Sequence, residues 1–216
     1  MGPKRFPEQV FVSGTDTEVG KTVVCAVLMA GLQGCYWKPI QSGLEAETDT
    51  RWIQRVTGLF PACFIDEAYR LRSPLSPHAA AAIDGVRITM EGLRLPSPAQ
   101  GRKPLIVEGA GGVMVPLNES CFMLDLIKQL GLPVLLVARS GLGTINHTLL
   151  SLEQLHRHGA EVAGVVLNGP KNRENRKAIT YYGNTRVLAE LEPLAQLNPR
   201  GLREAFRVYF SGAGQG

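Results

Sequence analysis

Short continuous aliphatic runs alternate along the chain with longer stretches in which apolar residues recur every three or four positions. An apolar run without polar alternation marks a strand buried on both faces, as in a parallel sheet covered by helices. Strands are predicted at Val10-Phe11-Val12, residues 35–40, Leu105-Ile106-Val107, residues 134–138 and residues 162–167. Helices are predicted at residues 21–32, 49–57, 77–83, 124–130, 144–158 and 174–191. Ser76-Pro77 reads as an N-cap followed by proline at the first helical position, and Thr144 as a second cap. The fold class is α/β, a mostly parallel sheet with helices on both faces. In such sheets ligands sit outside the carboxyl ends of the strands, so the residues just after each strand are the ones to search for chemistry.

Composition narrows the picture. With 216 residues, 44% hydrophobic and 19% charged, the chain can bury a core, and dominant disorder is excluded. One domain over residues 1–216 is expected, with 211–216 a flexible tail. The longest apolar run falls short of the roughly 18 residues that a membrane span needs, so no membrane association is expected. Lys plus Arg number 23 and Asp plus Glu 19, a mild excess spread along the chain, and no nucleic-acid partner is expected. The four cysteines show no metal-binding spacing and no signal segment precedes the first strand, which predicts a reducing, cytoplasmic setting.

The first strand runs into Ser13-Gly14-Thr15-Asp16-Thr17-Glu18-Val19-Gly20-Lys21-Thr22 and then into an apolar helical stretch beginning at Val23. Strand, glycine loop, Gly-Lys-Thr and helix stand in the order of a P-loop, whose backbone N–H groups and helix N-terminus wrap a polyphosphate. Lys21 is placed to reach the β- and γ-phosphates and the Thr22 hydroxyl to ligate Mg²⁺. Five residues separate Gly14 from Gly20 where the standard loop has four, so this is a variant form. The sheet is then a P-loop NTPase-like one.

Leu105-Ile106-Val107 ends in Glu108-Gly109-Ala110-Gly111-Gly112, a carboxylate at a strand terminus beside a glycine turn. Mg²⁺ binds through one or two carboxylates plus phosphate oxygens, which makes Glu108 a candidate ligand with Thr22. Asp49, opening a helix, is the candidate for the second carboxylate, with a plain helix N-cap as the alternative. Glu18, an acid inside the phosphate loop, points either to a nearby cation or to compensation of the helix dipole. Lys38 is held extended by Pro39 at the same carboxyl edge, with Ser42-Gly43 following, and is a candidate second cation for a transferring phosphoryl group.

Five segments together resemble the dethiobiotin synthase family: residues 14–22, Lys38-Pro39-Ile40-Gln41-Ser42-Gly43, Ser76-Pro77-His78, residues 107–112 and Gly143-Thr144-Ile145-Asn146-His147. The five-residue loop spacing is that family's own. The resemblance implies an ATP- and Mg²⁺-dependent homodimer that carboxylates 7,8-diaminononanoate with CO₂ and closes a cyclic urea through a carbamic-phosphoric anhydride. It implies Lys21, Lys38 and Thr17 as catalytic residues and Thr22, Asp49 and Glu108 on the metal. Glu18, Val19, Gly20, Lys21, Thr22 and Val23 would hold ATP, together with Asp49, Glu108, Gly109, Ala110 and Gly111. Thr17, Lys38 and Ser42 would contact the diamine or its carbamate, while Gly143, Thr144, Ile145 and Asn146, from the other subunit, would hold its carboxylate. Asn168, with Pro193, Leu194 and Ala195, would lie at the adenine; Gly169 departs from the polar or acidic residue that often follows that asparagine. His78 and His147 are expected to be structural.

The alternative is a P-loop ATPase switch of the partition or metallochaperone type. Such switches carry a signature lysine early in the loop, where this chain has Asp16.

Overall fold

A computed structural model describes residues 6–96 and 104–210; the tail expected at 211–216 lies outside them. Seven strands form one parallel sheet: β1 (Gln9–Gly14), β2 (Cys35–Trp37), β4 (Phe64–Ile65), β6 (Leu105–Gly112), β7 (Val134–Arg139), β8 (Val162–Asn168) and β9 (Val187–Leu191). Their order is β4-β2-β6-β1-β7-β8-β9. A separate parallel pair joins β3 (Ile40–Ser42) to β5 (Tyr69–Leu71).

Two apolar cores flank the sheet, and alternate residues of each strand feed them. Val10, Val12, Tyr36, Ile106, Leu135 and Val137 face one core; Phe11, Trp37, Leu105, Val107, Leu136 and Ala138 face the other. This two-sided burial is why the strands read as unbroken hydrophobic runs. The first core is closed by α1 (Lys21–Leu32), α2 (Asp49–Thr57) and α7 (Pro199–Phe210). The second is closed by α3 (Pro77–Asp84), α4 (Met123–Leu130), α5 (Thr144–Arg157) and α6 (Arg173–Tyr182). Helix α1 is buried nearly all round, with Val24, Val27, Leu28 and Met29 inaccessible to solvent, and each such side chain contributes roughly 1.5–3 kcal/mol through removal from water. That burial anchors the phosphate loop, which has no regular structure of its own.

Several sequence expectations need correction. The strand predicted at 35–40 is two strands in different sheets: the pairing of β2 stops at Trp37, and the chain turns at Lys38-Pro39 before Ile40 joins β5. Proline has no N–H to continue a ladder, and its carbonyl instead accepts from the Tyr69 N–H at 3.0 Å. The helix predicted at 174–191 ends at Tyr182; Gly183-Asn184, with Asn184 at φ 43°, breaks it, and Val187–Leu191 forms the sheet edge. Helix α7 escaped prediction although Asn198-Pro199 is a cap followed by proline, the Asn198 side chain accepting from the Gly201 N–H at 2.9 Å. At α5 the cap position is Gly143, with φ 88°, and Thr144 is buried as the first helical residue. Ser76 holds the predicted N-cap position of α3, but its hydroxyl bonds the His78 ring at 3.1 Å and caps nothing.

Candidate active site

Strand β1 delivers the chain to the carboxyl edge, where the Thr15 N–H bonds the Val137 carbonyl at 2.9 Å and starts the loop. The loop then folds back on itself. A Cβ on Gly14 would lie within 3 Å of the Asp16 carbonyl, the Lys21 amine and Val19. Gly20 is in the left-handed region at φ 94°, and a Cβ there would stand 2.0 Å from the Asn168 amide, so no other residue type fits this turn. Gly20 also occupies the N-cap position of α1, and no side chain caps that helix. Its first-turn N–H groups and the positive end of its dipole therefore face the cavity as an anion cradle.

Lys21 lies within this loop with its Nζ 2.8 Å from the Asp16 carbonyl. Burial lowers its pKa, with Glu108 and Asp49 opposing. Asp16 itself is paired with Arg139, at the end of β7, at 3.0 Å, so this acid in the phosphate loop has its own cation. Glu18 is exposed at φ 56° and lies two residues before the N-cap Gly20, outside the first turn of α1.

The turn after β2, strand β6 and the start of α2 bring the second cation and both carboxylates to the same place. Register pairs Tyr36 with Ile106 and Trp37 with Val107, so one residue further Lys38 comes beside Glu108. Lys38 is buried, with Nζ 2.9 Å from Glu108 Oε1 and in an ion pair with Asp49. Burial by itself would lower its pKa, but the two carboxylates outweigh burial and hold Lys38 above the ordinary lysine value. Burial likewise pushes the Asp49 carboxyl up, and Lys38 with the Thr22 hydroxyl pulls it further down, to below the usual value. The Thr22 hydroxyl lies 3.0 Å from Asp49 Oδ1 and 3.0 Å from Glu108 Oε1. Asp49 is set by α2, whose N-cap is Thr48; the Asp49 N–H bonds Gln41 Oε1 at 3.1 Å, so Asp49 is the first helical residue and leaves its carboxylate free for the site.

Three oxygens from Thr22, Asp49 and Glu108 thus converge from three elements. This all-oxygen set with two carboxylates suits a hard cation that also takes phosphate and water ligands. Among the described residues no cluster of three or more His, Cys, Asp or Glu could hold a metal by itself, so an ion here would share its ligands with a nucleotide. A cavity of about 910 Å³ opens over the group. It is lined by Thr17, Glu18, Gly20, Lys21, Thr22, Val23, Lys38, Ser42, Asp49, Glu108, Ala110 and Gly111, together with Glu45, Glu47 and the Pro74–Pro77 turn. The Ser42 hydroxyl is buried beside it without a hydrogen-bond partner.

Not every predicted residue is in that cavity. Gly143, Thr144, Ile145 and Asn146 open α5 after β7 and do not line it. Asn168 ends β8, donating its amide to the Val19 carbonyl at 3.0 Å, and Pro193, Leu194 and Ala195 follow the adjacent β9. The sequence reading missed Tyr36 and Cys25. Both are fully buried against Glu108, and burial followed by the Glu108 charge pushes both well above their ordinary pKa values, so both remain proton donors. The period of two along β2, with Lys38 already singled out, was the available signal for Tyr36.

Strand β6 runs on past the expected terminus at Glu108 to Gly112. A glycine loop capping a buried helix, with one acid within the neighbouring strand β6 and another opening α2, defines a P-loop nucleotide-binding α/β protein. A family model described as an AAA domain matches residues 8–200. The chain is 48% identical over 203 residues to the ATP-dependent dethiobiotin synthetase of Nitrobacter hamburgensis, covering 94% of each chain. It is 52% identical over 186 residues to that of Paramagnetospirillum magneticum, covering 86% of this chain and 88% of the relative. Among solved structures, the septum site-determining protein MinD of Pyrococcus horikoshii, complexed with Mg-ADP, superposes with a TM-score of 0.52 at 16% identity, covering 95% of this chain and 91% of the other. That last likeness is one of fold. The chain belongs to the ATP-dependent dethiobiotin synthetase family.

Proposed function

We propose that this protein is an ATP-dependent dethiobiotin synthetase that carboxylates 7,8-diaminononanoate with CO₂ and closes the ureido ring, releasing ADP and phosphate. The observation that carries the reading is Lys38, a buried ammonium bridging Glu108 and Asp49 beside a phosphate loop and an unpartnered Ser42 hydroxyl. One amine of the diamine adds to CO₂ and loses a proton, giving a carbamate. A carbamate oxygen attacks the γ-phosphorus, the bond to the β-phosphate oxygen breaks, and ADP leaves. The second amine attacks the carbonyl carbon of the mixed anhydride, and phosphate departs with closure of the ring. Phosphoryl transfer gives a protein little covalent work, so positioning and charge neutralisation dominate.

In this reading the α1 N–H groups and Lys21 hold the phosphates, Lys38 neutralises carbamate and γ-phosphoryl oxygens, and Thr17 and Ser42 hydrogen-bond the diamine or its carbamate. Thr22, Asp49 and Glu108 would hold Mg²⁺, which when bound supplies neutralisation of the triphosphate charge. Asn168 and residues 193–195, at the ends of adjacent strands, take the adenine. Gly143–Asn146 take the nonanoate carboxylate from across a homodimer interface; that they do not line this chain's own cavity, and that Leu142 beside them is fully exposed, support that assignment. The chain works as one domain, without nucleic-acid or membrane partners; among the described residues no helix is long and apolar enough to cross a membrane. Four unpaired cysteines favour the reducing cytoplasm.

The test is phosphate release from Mg-ATP with and without diamine plus bicarbonate, with dethiobiotin detected by mass spectrometry. Release should rise sharply with both additions. Brisk hydrolysis indifferent to them would identify a nucleotide switch instead. Sedimentation of active enzyme as a monomer would overturn the shared site.

A further inference from the structure

We propose that Tyr36 is a positioning residue for Glu108: its hydroxyl pins one carboxylate oxygen so that the other is the one offered to the cavity. The two oxygens of Glu108 have different neighbours. Oε1 faces Lys38 Nζ at 2.9 Å and the Thr22 hydroxyl at 3.0 Å. Oε2 accepts from the Tyr36 hydroxyl at 2.9 Å, on the side where α1 packs on the sheet. Tyr36 is wholly buried and Glu108 is 1% exposed, so solvent cannot replace the phenol. The Cys25 thiol is also buried within reach of the Glu108 charge, but a thiol is a weak donor and does not replace the phenol.

Without the hydroxyl, Oε2 becomes an under-satisfied buried carboxylate oxygen, and rotation of the carboxylate toward Thr22 and Lys38 becomes the way to satisfy it. The residue pair is set by the β2/β6 register, which places Tyr36 across from Ile106, two residues before Glu108 on the same face. The ring also meets Phe64 edge-on at 6.1 Å. Phenylalanine keeps that contact, so Tyr36→Phe isolates the hydroxyl.

The inference rests on Glu108 being a ligand of Mg²⁺, and the experiment separates the two. The Mg²⁺ concentration giving half-maximal binding of a fluorescent ADP analogue is measured on the full chain, with no turnover required. Tyr36→Phe should raise it roughly tenfold or more, as loss of an outer-shell partner does. Glu108→Gln should raise it too, and the double variant should be no worse than Glu108→Gln, because Tyr36 acts through Glu108. Trp37→Phe, which removes the bond from the Trp37 indole to the Asp66 carbonyl on the opposite face of β2, should lower the melting temperature and leave the Mg²⁺ requirement alone. The rise in melting temperature caused by Mg-ADP gives the same comparison for any variant of reduced stability. A Tyr36→Phe protein with the wild-type Mg²⁺ requirement, or a double variant whose defects add, overturns the role of Tyr36. A wild-type requirement in Glu108→Gln overturns the metal reading beneath it.

Discussion

Replacing Lys38 with methionine keeps most of the side-chain volume and removes one charge from a buried site. Glu108 Oε1 and Asp49 Oδ1 each lie 3.0 Å from the same Thr22 hydroxyl, so they are within about 6 Å of each other. At that distance two negative charges in an effective dielectric near 20 repel by about 3 kcal/mol. In the wild type the Lys38 ammonium sits between them with its side chain 7% exposed and that of Glu108 inaccessible. Breaking a buried pair by removing one partner destabilises by about 3–5 kcal/mol because it leaves a buried charge uncompensated, and here the repulsion between the two carboxylates adds to that cost. Lys38→Met should therefore unfold at clearly lower urea concentration at pH 7 without Mg²⁺, and added Mg²⁺ should restore part of the loss. Turnover should fall about 10²–10³-fold, the effect of removing a positioned group that stabilises transition-state charge, even where saturating Mg-ATP restores stability. The assays are urea unfolding with and without Mg²⁺ and single-turnover dethiobiotin formation. A variant within about 1 kcal/mol of wild-type stability and within about threefold of its rate would refute both the pairing and the catalytic role.

Three further outcomes are expected. The depressed Asp49 carboxyl contributes stability that is complete above the ordinary carboxylate range and lost as pH falls through its lowered value; the stability gap between wild type and Asp49→Asn, followed by urea unfolding without Mg²⁺, should shrink below about pH 4, and a gap unchanged into acid would contradict this. Gly20→Ala should abolish binding of an ATP analogue and cost stability through both its φ of 94° and the 2.0 Å approach to Asn168, and Asn168→Ala should relieve only the steric part, so additive calorimetric losses would count against the packing described. Ser42→Ala should raise the KM for the diamine while leaving the melting temperature unchanged or higher, because the buried hydroxyl has no partner to lose; an unchanged KM would remove Ser42 from the substrate site.

Much of the fold was legible in local pattern. The aliphatic runs at Val10-Phe11-Val12 and 134–138 and the amphipathic helix at 124–130 carry their own signal, because covering both sheet faces leaves no room for polar alternation. Errors fell where local and tertiary preferences compete. Residues 174–191 have mixed periodicity, and only pairing of Val187–Leu191 with β8 makes the second half a strand. Strands of two or three residues, such as β4 and β5, are too short to show any period.

The site divides in the same way. The chain itself specified the phosphate cradle, since Gly20, Lys21 and Thr22 are contiguous and their geometry follows from a turn entering a helix, and it carried the family resemblance that the relatives bear out. Tertiary structure set the distances that join Glu108 to Lys38, Asp49 and Thr22, residues from three elements and the turn after β2, because strand register and helix docking fix distances that no linear spacing encodes. It also decided that Tyr36, unremarkable in the sequence, faces the buried oxygen of Glu108, since burial is what makes a single hydrogen bond there irreplaceable by water.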